Sequence, residues 1–139
     1  KALKQAGLTL EATNAIMQAH GAVDPLALYE RTLALGLTVI ARSDEAYPEV
    51  LQPLARPPAV LYVRGVLPTK LGVAVVGTRR PTSYGTQVCH ALVPALARTS
   101  LPVISGLAFG IDTIAHTVTL SARGTAVAVI GSGLDPQHF

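Results

Sequence analysis

Tryptophan is absent from this 139-residue sequence, and cysteine and methionine occur once each. Aromatic residues are confined to Tyr29, Tyr47, Tyr62, Tyr84, Phe109 and Phe139, so any core must be aliphatic. Half of the chain is apolar, enough to fill such a core, and Ala, Val, Leu and Ile suit strands covered by helices on both faces. A lone cysteine, Cys89, excludes an intramolecular disulfide and is compatible with a reducing compartment. Long hydrophobic runs are missing too. The longest, Leu101 to Ile111 and Thr125 to Leu134, are too short for a membrane span and carry glycines. No apolar leader follows Lys1 and Lys4, where Gln5 and Gly7 stand instead. The expectation is a cytoplasmic protein with no membrane anchor. His and Cys do not recur at zinc spacing, so neither a metal nor a cofactor is expected.

The charge that is present is unevenly placed. Residues 1–55 hold Lys1, Lys4, Arg31 and Arg42 against Glu11, Asp24, Glu30, Asp44, Glu45 and Glu49, a balance of −2. Residues 56–139 hold Arg56, Arg64, Lys70, Arg79, Arg80, Arg98 and Arg123 against Asp112 and Asp135, a balance of +5. Such a concentration suits a polyanionic partner, or equally a scatter of solubilising arginines.

Residues 1–36 read as a small helical unit. Thr9 suits an N-cap for a helix through Glu11, Ile16 and Met17 that stops at Gly21. Asp24-Pro25 forms a second cap and first-turn pair, followed by Leu26, Leu28, Tyr29, Leu33 and Leu35 up to Gly36. The pair resembles a SAM-like or helix-hairpin-helix DNA module, or a simple packing appendage. Residues 37–139 read as a Rossmann-like domain whose C-terminal part is incomplete. It opens with a short strand over Leu37–Ile40, a turn over Asp44–Pro48, a short helix over Glu49–Ala55 and a strand over Ala59–Val63. From Leu71 the pattern becomes β-α-β-α-β, with apolar strands at Gly72–Val76, Leu101–Ile104 and Thr125–Ile130. The first intervening helix shows Val88, Ala91, Leu92, Ala95 and Leu96 on one face, with a kink expected at Pro94. The second shows Ile111, Ile114, Ala115 and Val118. The fold class is α/β, a partial parallel sheet of doubly wound type.

Ligands of such sheets bind beyond the C-terminal ends of the strands. Each strand here ends in a glycine-bearing loop: Gly77-Thr78-Arg79-Arg80, Ser105 to Gly110, and Gly131 to Asp135. Glycine permits close approach of the backbone, and a following helix directs its N–H groups at an anion. Arg79 and Arg80 add charge suited to phosphate. The dinucleotide pattern G-x-G-x-x-G and the P-loop are both absent, which disfavours nicotinamide and P-loop enzymes. Asp112 and His116 are spaced one helical turn apart, as an acid–base couple or metal ligands would be. Local capping by Asp112 and a nearby hydrogen bond for His116 explain the same spacing.

Together these segments resemble the DNA-processing protein A (DprA/Smf) family. The resemblance is carried by Val75-Val76-Gly77-Thr78-Arg79-Arg80-Pro81 with Tyr84-Gly85. It continues in Ser105-Gly106-Leu107-Ala108-Phe109-Gly110-Ile111-Asp112 with Ala115-His116, and in Gly131-Ser132-Gly133-Leu134-Asp135. Upstream, Tyr47-Pro48 and Pro57 to Gly65 match as well. The resemblance implies a non-enzymatic recombination mediator of natural transformation. Such a protein binds and protects incoming single-stranded DNA, loads the RecA recombinase and acts as a homodimer. It also implies DNA contacts at Gly77, Thr78, Arg79, Arg80, Ser105, Gly106, Phe109 and Gly110. At Phe109 the family often carries a cation. The ring either stacks on a base or tucks under the loop against Leu107 or Ile111. Competing readings are a nucleotide-binding or nucleoside-monophosphate-processing protein, and a pure assembly module.

Overall fold

The computed structural model describes residues 7–135; readings that fall on residues 1–6 and 136–139, including the start at Lys1 and the end at Phe139, lie outside them. Helix α1 spans Leu10–Ala22, and the Thr9 hydroxyl accepts the Ala12 N–H at 3.2 Å. Gly21 does not end it. The helix stops at Val23, already extended (φ −123, ψ 127), and cannot resume at Asp24 (φ −83, ψ 107), because proline bars the α conformation from its predecessor. Helix α2 spans Pro25–Ala34, with Asp24 Oδ1 accepting from the N–H groups of Leu26 (2.9 Å) and Ala27 (3.2 Å). It ends as expected at Gly36, which adopts φ +70. There the N–H of Gly36 donates to Leu33 O and that of Leu37 to Thr32 O, the pairing that closes a left-handed helix end.

Strands β1 (Thr38–Ala41) and β2 (Val60–Val63) pair antiparallel as a separate two-stranded sheet, Thr38 opposite Val63 and Ala41 opposite Val60. Between them Tyr47 is buried and donates its hydroxyl to Pro58 O at 2.8 Å, while Asp44 accepts the Ala41 N–H. The helix expected over Glu49–Ala55 is only a 3-10 turn, Glu49–Leu51. Pro53 has no N–H to donate to Glu49, so a longer helix cannot propagate.

The expected parallel sheet is present. Strand β3 (Val73–Ala74) leads into α3 (Ser83–Arg98), β4 (Val103–Ser105), α4 (Ile111–Ser121) and β5 (Ala126–Ala128). The order is β3-β4-β5, with Val73 beside Val103 and Val103 beside Ala126. Pro102 sits just ahead of β4, where its missing N–H removes no ladder bond. Cys89 and Val93 of α3 meet Val103 of β4 and Ala115 and Val118 of α4 in one buried cluster. Both helices therefore cover the same face of the sheet. The expectation of helices on both faces is corrected for the described residues: across the sheet, Val76 (69 %) and Val129 (63 %) are exposed. The buried stripe of α3 is also rotated from the expected one. It runs through Cys89, Val93 and Ala97, while Leu92 is exposed on the flank of β3, an edge strand.

Candidate nucleic-acid interface

Because β3 and β4 are parallel, the loops that follow them emerge on the same edge, and one side chain ties them together. Asp112, in the first turn of α4, is buried and accepts the Gly77 N–H at 3.3 Å and the Gly106 N–H at 3.0 Å. Burial alone would raise the pKa of this carboxyl. The N–H groups of Gly106, Gly77 and Ala108, with the Ser105 hydroxyl close by, outweigh that and hold it below its ordinary value.

Further bonds fix the second loop. The Ile111 N–H donates to Thr78 O at 3.2 Å, Thr113 Oγ1 to Ala108 O at 2.7 Å, and the buried Ser105 hydroxyl to Val75 O at 2.6 Å. Gly110 stands at φ +85, and a Cβ there would collide with Thr78 O and the Arg79 backbone. Only glycine fits. Leu107 is held at φ +57, a left-handed conformation that a leucine rarely adopts and that recurs where surrounding structure over-determines a functional loop. In the first loop Thr78 Oγ1 accepts the Arg80 N–H at 3.1 Å, and Thr82 caps α3 by accepting the Gly85 N–H.

These constraints leave an open pocket of about 300 Å³ lined by Arg79, Leu107, Ala108, Phe109 and Thr113. Arg79 is exposed and Phe109 is 82 % exposed, so the ring is not tucked beneath the loop. All eight residues singled out from the sequence fall on this edge, but in different positions. Gly77 and Gly106 give their N–H groups to Asp112, and Ser105 is buried beneath the surface. Gly110 shapes the turn, while Thr78 and Arg80 are exposed beside the pocket.

Sequence reasoning missed the clamp. Asp112 does not pair with His116: its oxygens go to the two loops, and the buried His116 Nε2 has no hydrogen-bond partner among the described residues. The signal was Asp112 itself, a carboxylate one residue inside a helix that follows two glycine loops. The third glycine loop follows β5 on the same edge but does not line this pocket; it is held by Arg64, which follows β2, and by Arg31 of α2. Arg64 donates to Leu134 O at 2.9 Å, and Arg31 pairs with Asp135 at 2.6 Å.

The family model described as DNA recombination-mediator protein A matches residues 38–138. The chain belongs to this family. Family relatives include the DNA processing protein DprA of Bacillus subtilis, 38 % identical over 107 residues, or 75 % of this chain and 35 % of that protein. Protein Smf of Synechocystis is 40 % identical over 98 residues, 66 % of this chain and 25 % of its own length. The chain thus spans about a third or less of these two relatives. Among solved structures, DprA from Streptococcus pneumoniae matches with a TM-score of 0.75 and 32 % identity, covering 86 % of this chain and 42 % of that one. DNA processing protein A from Helicobacter pylori, described for its single-stranded DNA binding mode, matches at 0.60 and 33 %, covering 71 % and 44 %. No helix of the described residues is long and apolar enough to cross a membrane.

Proposed function

We propose that this chain holds single-stranded DNA along the C-terminal edge of its parallel sheet, as the DNA-binding part of a cytoplasmic recombination mediator. The observation that carries this reading is the convergence of a cation, Arg79, and an exposed aromatic, Phe109, on one open pocket above two stapled loops. A phosphate and an unpaired base are the two things a DNA single strand offers to such a pair. Arg79, Arg80 and Phe109 make the contacts, with Thr78 beside them. Gly77, Ser105, Gly106 and Gly110 set the loop geometry on which those contacts depend.

The role is binding rather than catalysis. In the whole protein, the mediator protects incoming DNA during natural transformation, acts as a homodimer and loads RecA. The description of the family as DNA recombination mediators supports the mediator role itself. A gel shift on labelled single-stranded DNA, run beside a nucleoside-monophosphate hydrolysis assay on the same sample, tests the proposal. A shift without hydrolysis is expected; hydrolysis without a shift overturns it in favour of a nucleotide-processing protein.

A further inference from the structure

We infer that Phe109 is a stacking platform that admits one unpaired base into the Arg79 pocket, and that this contact makes the site selective for base-bearing single strands. The inference rests on the DNA-binding reading above and specifies how the pocket recognises its ligand. Three observations carry it. First, the ring is the most exposed aromatic among the described residues at 82 %, although the aliphatic Leu107 lines the same pocket. At that exposure most of an apolar plate faces water, which a flat partner would displace.

Second, the plate stands on a rigid base. Ala108 is tied through its carbonyl to Thr113, Gly106 is tied to Asp112, and the Ile111 N–H is tied to Thr78 O of the first loop. Gly110 is locked by the backbone of Thr78 and Arg79. An exposed aromatic on such a support is pre-organised, so little backbone freedom remains to be lost when a ligand binds. Third, Arg79 lines the same pocket, and its guanidinium supplies the charge for a phosphate next to the stacked base. A pocket of about 300 Å³ is at the small end of ligand sites, too small for a folded partner and in the range for one nucleotide unit. In a duplex both faces of each base are already stacked within the helix, so the plate engages unpaired DNA.

The test measures Kd by fluorescence anisotropy for the full chain with oligothymidylate and with a strand of the same length bearing abasic sites. Stacking predicts that Phe109→Leu raises Kd roughly 5-fold or more, the lower end of what aromatic–base stacking contributes. Phe109→Trp restores binding, and Phe109→Leu leaves both the melting temperature and the salt slope as in the parent. The parent disfavours the abasic strand by a similar factor, and Phe109→Leu loses that preference. Excess deoxythymidine monophosphate leaves the complex intact, which assigns the slot to a strand rather than to a mononucleotide.

Unchanged binding by Phe109→Leu, a fall in its melting temperature that matches its loss of binding, or equal affinity of the parent for both strands overturns the inference. So does displacement by the mononucleotide at concentrations near that of the DNA. If Arg79→Ala weakens binding while Phe109→Leu does not, stacking alone is overturned and the DNA-binding reading stands. No binding to any single strand overturns both.

Discussion

Asp112 is a buried anion satisfied by backbone donors from two loops, so its charge and the shape of this sheet edge are coupled. Its folded-state pKa lies below the ordinary value of 3.8, which means the ionised form is the one the fold favours. The stability this adds is fully present above that ordinary value and is lost as pH falls through the lowered one. Asp112→Asn keeps one acceptor oxygen but turns an NH₂ group towards an N–H donor. We expect it to lower stability by about 1–3 kcal/mol near neutrality, with a smaller deficit at about pH 3, where the parent's carboxyl is already largely protonated in the unfolded chain. Denaturant melts of both proteins at the two pH values check this; an equal deficit at both would mean that the carboxylate's charge is not the link. Gly110→Ala acts through geometry instead, since it meets both a left-handed φ and the Thr78 carbonyl. It should lose about 2 kcal/mol or more and distort the pocket, visible as weakened DNA binding by protein that is still folded at low temperature.

The ends of helices were the most legible elements, because capping is local chemistry. Thr9, Asp24-Pro25 and Gly36 do what their types and spacing indicated, and α3 starts with Thr82 as its cap. Elements whose limits depend on partners were less legible. The α3 sequence is apolar on more than one side, so periodicity could not reveal that Cys89 and Val93 rather than Leu92 face the sheet. Likewise the two successive crossovers gave no local sign that both helices would settle on one face. The shared edge of the first two loops was legible because parallel strands align their loops, whereas which loop residues brace that edge and which stay exposed on it depended on the Asp112 clamp. The end of α4 is a testable exception to glycine usage. Arg123 occupies the left-handed position at φ +56, with its N–H on Leu120 O and the next N–H, from Gly124, on Thr119 O. Relief of left-handed strain is about 1–2 kcal/mol, and the extra chain entropy of glycine offsets about 0.5–1 of that. Arg123→Gly should therefore stabilise the protein by roughly 0.5–1 kcal/mol, read as a rise in melting temperature; a fall would show that the arginine side chain holds the helix end by contacts of its own.

At the scale of the molecule, the excess of positive charge after residue 56 and its partial neutralisation decide where a polyanion can lie. Arg31 is already paired with Asp135, and Arg64 is turned to the Leu134 carbonyl, both on the third loop. Arg79 and Arg80 are exposed on the edge where the first two loops meet. If single-stranded DNA follows that edge, its affinity falls with salt because each neutralised phosphate releases counterions, with a slope of about 0.7 per contact. Arg79→Ala and Arg80→Ala should each lower the magnitude of the slope by about 0.7 and weaken binding to all sequences about equally. Arg31→Ala should leave the slope unchanged. Its own cost to stability should be below about 1 kcal/mol, since the Arg31 side chain is 67 % exposed and an exposed ion pair contributes little. Anisotropy titrations of the three variants over a range of salt concentrations separate these cases. Equal slope losses for Arg31→Ala and Arg79→Ala would mean that the strand runs on from the glycine loops over the N-terminal helices, and the edge described here would then be only part of the path.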